Sequence, residues 1–155
     1  GSAKHAMKNI HEKALDRVLP TLTQPVLGFC LGMQLMAKTS QEGLAQDAIE
    51  TTECLGVIPV EVTKLDSNGL RLPHMGWNNL EIVEAHPIFD GLTDKDFVYF
   101  VHSYGVPVGK YTIASCKYGN PFSAAIAKDN FVGCQFHPER SSVIGQRIIR
   151  NFLSM

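Results

Sequence analysis

A cysteine between two glycines, where a predicted strand meets a predicted helix, constrains the fold of this chain most. Residues 25–29 form an apolar run typical of a buried strand, and residues 31–36 begin a predicted helix. Cys30 lies at the turn between them, and Gly28 and Gly32 leave room for a sharp turn that presents a nucleophile. Backbone N–H groups at the start of the helix favour a thiolate and an oxyanion. The segment predicts an α/β fold with a nucleophilic cysteine.

A histidine and a carboxylate near the other end of the chain supply the remaining groups of a candidate catalytic site. Pro138 favours an extended conformation for His137. Side chains two positions apart on an extended chain point the same way, so Glu139 is placed to orient the imidazole of His137. A lone buried cysteine is usually a core residue, and a lone His-Pro-Glu is usually a turn. Their occurrence together predicts thiol acyl transfer.

The composition narrows the classes of protein to which this chain can belong. The 155 residues fit one domain, 45% of them are hydrophobic, and the net charge is −1. The charge leaves no basic footprint for nucleic acid. No apolar run is long enough to span a membrane and no signal peptide opens the chain. The four cysteines form no C-x-x-C pair, which predicts reduced thiols in the cytoplasm, with Cys116 and Cys134 in the core.

Hydrophobic periodicity predicts an α/β arrangement with helices at both ends and strands between them. Helices are predicted over residues 3–18 and 143–153, and a polar loop over residues 39–55. Further strands are predicted at residues 57–65, 80–83, 97–101, 111–118, 122–128 and 131–136, with a tight turn at residues 129–130.

Several stretches resemble one enzyme family. Residues 28–34 (GFCLGMQ) and 135–139 (QFHPE) resemble the class I, or triad, glutamine amidotransferases. Residues 72–78 (LPHMGWN), 99–104 and 137–141 narrow the resemblance to the glutaminase subunits of imidazole glycerol phosphate synthase, from histidine biosynthesis. The resemblance implies a flavodoxin-like mixed sheet with flanking helices and a nucleophile elbow at Cys30. It also implies that the first strands of the domain, with a Pro-Gly-Val-Gly stretch, are missing before residue 1.

The resemblance assigns roles to individual positions. It makes Cys30 the nucleophile, His137 the general base and acid, and Glu139 the orienting carboxylate. It places substrate-binding groups at Gly32, Gln34, Glu42, His102 and Ser103, an oxyanion donor at Leu31, and partner contacts at Trp77 and Asn78. The residue types alone leave plainer roles open: a surface glutamine, a solvated glutamate, a structural histidine, and a tryptophan in the core or at an interface.

The implied reaction hydrolyses glutamine through a γ-glutamyl thioester, without metal or organic cofactor. Ammonia then passes to a (β/α)₈ cyclase partner, and glutaminase activity depends on that partner. Residues 1–155 alone are expected to be inactive and to self-associate through an exposed sheet edge, because the family's first strands are missing. Two alternatives stay open: the glutaminase of another amidotransferase, such as anthranilate or aminodeoxychorismate synthase, and a non-catalytic module with a reactive cysteine.

Overall fold

The computed structural model describes residues 2–43 and 50–155. Its helices are α1 (Ala3–Glu12), α2 (Leu31–Leu35) and α3 (Ser142–Leu153). Its strands are β1 (Val26–Phe29), β2 (Thr39–Ser40), β3 (Thr52–Glu53), β4 (Glu61–Lys64), β5 (His74–Asn79), β6 (Glu81–Ile82), β7 (Phe97–His102), β8 (Tyr104–Gly105), β9 (Thr112–Tyr118), β10 (Asn120–Lys128) and β11 (Phe131–Cys134). Within these residues no helix is both long and apolar enough to cross a membrane.

The first helix is shorter than the sequence predicts. Ser2 caps its start, where the hydroxyl accepts a hydrogen bond from the N–H of His5. The helix ends at Glu12, and Ala14 adopts a left-handed conformation with φ 55°. Two short 3-10 turns follow instead of further α-helix. The prediction of a continuous helix over residues 3–18 was therefore wrong beyond Glu12, because hydrophobic spacing alone does not specify a left-handed residue.

The main sheet is mixed and has five strands, in the order β1-β11-β10-β9-β6. Strand β1 pairs in parallel with β11, so that Gly28 lies opposite Gly133, and the other pairs are antiparallel. Parallel pairing brings the carboxyl ends of β1 and β11 to the same sheet edge. Cys30 follows β1 and His137 follows β11 closely, so the topology brings the predicted nucleophile and base together.

Two smaller sheets complete the β-structure. One has the order β3-β2-β4-β8, and the other is a ribbon of β5 and β7 paired antiparallel. The sequence pattern does not predict β5, since its apolar residues are interrupted by Gly76 and two asparagines. The predicted strand over residues 57–65 forms only at Glu61–Lys64, after Pro59. The predicted loop over residues 39–55 contains β2 and β3, and its residues 44–49 lie outside the described residues.

Two apolar clusters lie on the main sheet. The larger one joins the ribbon, β9, β10, β11 and α3, and the smaller one joins α2, β4 and β10. Phe100, Phe136 and Ile148 are fully buried in the first, and Met33 and Ile126 in the second. Each such side chain contributes roughly 1.5–3 kcal/mol through burial. Cys116 and Cys134 are buried in the core, as predicted.

Candidate active site

The turn at Cys30 is a strained strand-to-helix junction. Cys30 has φ 48° and ψ −105°, and its N–H donates to the Cys134 carbonyl at 2.7 Å. A Cβ at Gly28 would lie 2.7 Å from the carbonyl carbon of Gly32 and 2.9 Å from the N of Met33, so a side chain at position 28 would force the turn apart. A Cβ at Gly32 would meet no described atom within 4 Å. The prediction that the turn needs a small residue was right for Gly28 and wrong for Gly32.

His137 is held through both its ring and its backbone. Its Nδ1 lies 2.5 Å from Oε1 of Glu139, as the extended conformation of His137 (φ −103°, ψ 95°) predicts. Its backbone N–H donates to the Tyr99 carbonyl at 2.9 Å. The buried hydroxyl of Ser141 donates to the His137 carbonyl at 2.6 Å and accepts from the N–H of Tyr99 at 3.0 Å. Strand β7 therefore positions the histidine, and the carboxylate orients its ring.

A cavity of about 310 Å³ opens in front of the cysteine. This volume is at the lower end for small-molecule sites. The lining residues are Phe29, Cys30, Leu31, Gln34, Glu42, Val101, His102 and His137. Six predicted site residues therefore meet at one cavity, and Glu139 lies behind His137.

The remaining predicted residues lie elsewhere. Gly32 lines an apolar groove beside β1 with Ile10 and Leu19, outside the lining of the cavity in front of Cys30. The carbonyl of Ser103 accepts from the N–H of Leu65 at 3.0 Å, outside the cavity lining. Both assignments stay predictions. The further strands expected along the edge of β1 also remain a prediction.

The two predicted partner-contact residues point in opposite directions from β5. The side chain of Trp77 is 53% exposed and lies edge-on to the ring of Tyr99, 6.0 Å between centroids. The amide of Asn78 points inward, where it lies 3.3 Å from Nε2 of His74 and donates to the Lys117 carbonyl at 3.1 Å. Alternate residues of a strand face opposite sides of the sheet. Trp77 is thus available to a partner, whereas the Asn78 side chain is engaged within the protein.

The cysteine sulfur lies in a mixed electrostatic environment. Burial raises the pKa of Cys30 above its ordinary value, and the carboxylates of Glu42 and Glu139 raise it further. A hydrogen bond from the Leu31 N–H lowers the same pKa, and so does one from the Gln135 amide. The effect of burial on this pKa is larger than the effect of the donors. The helix α2 has only five residues, and a short helix contributes little beyond its first N–H groups. The predicted thiolate therefore needs His137 to accept its proton.

His102, in the cavity lining, forms a buried pair with His74. The Nδ1 of His74 lies 2.9 Å from Nε2 of His102, whose Nδ1 lies 3.0 Å from the Tyr104 carbonyl. A carbonyl only accepts, so His102 carries its proton on Nδ1 and receives a hydrogen bond from His74. Burial lowers the pKa of each histidine to about 4, so both are neutral at pH 7. Sequence reasoning gave His74 no role, because only the pairing of β5 with β7 places it opposite His102.

Comparisons with known proteins agree with this geometry. The sequence matches the family described as glutamine amidotransferase class-I over residues 4–155. The chain belongs to this family. It is 58% identical to the imidazole glycerol phosphate synthase subunit HisH of Colwellia psychrerythraea, over 100% of this chain and 72% of that protein. It is 51% identical to the subunit of the same name from Vibrio cholerae serotype O1, over 100% of this chain and 76% of that protein.

Solved structures show the same fold at low sequence identity. A putative GMP synthase subunit from Thermoplasma acidophilum has a TM-score of 0.66 and 20% identity, over 92% of this chain and 62% of that one. A glutamine amidotransferase structure has a TM-score of 0.61 and 19% identity, over 98% of this chain and 71% of that one. The resemblance of residues 28–34 and 135–139 to class I glutamine amidotransferases is thus confirmed. The chain is an amidotransferase-class enzyme subunit with the expected flavodoxin-like mixed fold.

Proposed function

We propose that this chain is the glutaminase subunit of a cytoplasmic imidazole glycerol phosphate synthase. It hydrolyses glutamine to glutamate and ammonia, and it delivers the ammonia to a cyclase partner. The observation that carries the proposal is the meeting of Cys30, His137 and the Leu31 N–H at one cavity, with Glu139 bonded to the histidine. Relatives named for this synthase, at 58% and 51% identity, support the choice of substrate and partner.

The reaction begins with attack of the Cys30 sulfur on the side-chain amide carbon of glutamine. The thiol proton passes to His137, and the Leu31 N–H donates to the oxyanion. Collapse of the tetrahedral intermediate breaks the C–N bond, and His137 returns its proton to the departing ammonia. Water then attacks the γ-glutamyl thioester while His137 accepts a proton from it. Release of glutamate restores the thiol, and Glu139 holds the imidazole in one orientation throughout.

The side chains around the cavity fit this substrate. Gln34 and His102 line the same cavity as the nucleophile, and Glu42 offers a carboxylate for the α-amino group of glutamine. Burial raises the pKa of Glu42, and binding of an ammonium group would offset that burial. These three side chains are our candidate specificity residues, together with the backbone around Ser103.

The exposed face of the β5–β7 ribbon is our candidate for the cyclase contact. Met75 and Trp77 are 62% and 53% exposed on this face, and Val101 lies on it directly opposite Met75. Val101 also lines the cavity in front of Cys30. Exposed apolar groups that continue into a catalytic cavity suit a partner that receives the product there. Glutaminase activity should accordingly rise by orders of magnitude when the cyclase is bound.

Replacement of Cys30 by alanine tests the assignment directly. In the full-length protein with its cyclase bound, Cys30→Ala should lower the rate of glutamate release by at least about 10³-fold, since the nucleophile is lost. Cys54→Ala is the matched control, because Cys54 is a half-buried free thiol outside the cavity lining, and its activity should stay within about twofold of wild type. Wild-type glutamate release by Cys30→Ala would refute the proposed function. Glutamate release at the same rate with and without the cyclase would refute the proposed partner.

A further inference from the structure

Gln135 is a fully buried amide to which the proposed reaction assigns no role. It directly follows β11, and its backbone N–H donates to the Ala124 carbonyl at 2.8 Å. A side-chain amide without solvent contact requires partners for its polar atoms, because an unmet hydrogen bond there costs about 1–3 kcal/mol. The partners of Gln135 are Gln34 and the sulfur of Cys30.

The hydrogen bonds determine which end of each amide points where. The carbonyl of Tyr104 only accepts, so the group 3.1 Å from it is the Nε2 of Gln34. The same nitrogen lies 3.2 Å from the second amide, which must therefore present its Oε1. Oε1 of Gln135 thus faces Gln34, and its Nε2 faces Cys30 Sγ at 3.7 Å. This orientation follows from the acceptor character of one backbone carbonyl.

The same carbonyl is held in place from the other side. His102 donates from Nδ1 to the Tyr104 carbonyl at 3.0 Å, and His74 in turn donates to His102. The resulting buried hydrogen-bond chain runs from the ribbon through Tyr104 and Gln34 to Gln135. Rotation of the Gln135 amide would break the bond to Gln34 and place its oxygen against the sulfur.

The cysteine sulfur has a particular need for such a donor. The Cys30 thiol donates to the Val101 carbonyl at 3.9 Å, and once the proton is gone that carbonyl oxygen faces an anionic sulfur. Among the described residues, the ionisable groups around the sulfur are Glu42, Glu139, His102 and His137. Both carboxylates disfavour the thiolate, and His102 is neutral at pH 7. The described donors that favour the thiolate are the Leu31 N–H and the Gln135 amide.

We propose that Gln135 is a catalytic residue that donates its Nε2–H to the thiolate of Cys30 and so increases the fraction of ionised nucleophile. The proposal rests on the proposed function, in which Cys30 is the nucleophile. When the thiol proton moves to His137, the thiolate loses its bond to the Val101 carbonyl and retains the hydrogen bond from Gln135. Gln34 holds this donor in place through the oxygen of the Gln135 amide.

The test measures ionisation of the cysteine without using glutamine. The full-length protein is treated with iodoacetamide across a pH series, and alkylation is quantified on the Cys30 peptide by mass spectrometry, because Cys54 is also half-buried. Gln135→Met keeps a similar volume and removes the donor. The midpoint of Cys30 alkylation should rise by about one pH unit, which is about tenfold slower alkylation at any pH below the midpoint. Gln146→Met on the exposed side of α3 is the matched control and should keep the wild-type midpoint.

Gln135→Asn is the second variant, because it keeps a polar amide in the core while withdrawing the N–H by one methylene. If Gln135→Met does not unfold cooperatively, Gln135→Asn tests the role of Gln135 in its place. The same upward shift of the Cys30 alkylation midpoint is expected for it. An unchanged midpoint in either folded variant overturns the role of Gln135. The proposed function is judged separately by loss of glutamate release in Cys30→Ala, so the two failures are distinguishable.

Discussion

The β9–β10 hairpin and the β5–β7 ribbon are both antiparallel pairs, but they are buried differently. In the hairpin, residues 112–116 and 122–126 are buried without interruption, so both faces of the sheet are covered. In the ribbon, buried and more exposed residues alternate, and the outer face carries Met75, Trp77 and Phe97 at more than half exposure. Continuous burial marks a strand pair covered on both sides, and alternation marks one with a free face. The hairpin thus stabilises the domain, and the ribbon has an exposed apolar face that is available for binding.

The largest expected contrast comes from one large residue in each region. Ile126→Ala in β10 should lower the free energy of unfolding by about 3 kcal/mol, because a fully buried side chain leaves a cavity. Trp77→Ala in β5 should lower it by less than about 1 kcal/mol, but should weaken cyclase binding by about 30-fold, as for a buried interface tryptophan. Denaturant unfolding and titration with the cyclase measure the two effects. Unchanged cyclase affinity for Trp77→Ala would remove Trp77 from the interface.

The inner face of the ribbon should make the protein sensitive to acid. His74 and His102 have pKa values near 4 in the folded state, lowered by burial, and about 6.5 when unfolded. Between pH 6.5 and 4 the unfolded chain binds protons that the folded chain does not. The free energy of unfolding should therefore fall as the pH is lowered through this window.

Denaturant unfolding at several pH values measures this slope. His74→Gln keeps a hydrogen-bonding group beside His102 and removes one titrating imidazole, so its slope should be shallower than that of wild type. His5→Gln, on the exposed side of α1, is the matched control and should keep the wild-type slope. A slope that is equal in all three proteins would contradict the assignment of the acid sensitivity to the buried pair.

The smallest expected effect concerns the connection between the ribbon and His137, the proposed catalytic base. The Ser141 hydroxyl bonds both the His137 carbonyl and the Tyr99 N–H, so Ser141→Ala leaves two backbone groups without this partner. The free energy of unfolding should fall by about 1 kcal/mol, and kcat for glutamine should fall more than KM changes, since the backbone that carries the imidazole loses a positioning contact. Exposed Ser142→Ala is the control. A change in KM alone would show that Ser141 acts on substrate binding instead.

Several features of the site follow from short-range sequence patterns. The glycine at position 28 is needed for the turn at Cys30, and Pro138 favours the extended conformation that brings Glu139 to His137. Both effects depend on residues within five positions of each other, so local steric rules predict them. The ends of β10 and α3 were predicted within two residues for the same reason, because a continuous apolar run and a helical apolar spacing are both local patterns.

Other features required distant parts of the chain to be assembled. The strand β5 lacks a recognisable pattern, since its identity as a strand comes from pairing with β7. The histidine pair, and the orientation of Gln135 toward Cys30, join residues 28 and 105 positions apart. The raised pKa of Cys30 also reverses the local expectation, because burial by the surrounding fold exceeds the donors next to it in sequence.

The sequence by itself determined the family and predicted the nucleophile, the base and the orienting carboxylate, since each depends on residue identity within short segments. The tertiary structure decided which other polar groups reach the sulfur, which face of the ribbon stays exposed, and which histidines stay neutral. The physical reason is that hydrogen-bond direction and desolvation depend on what packs around a group. That packing is set by strands far apart in the chain.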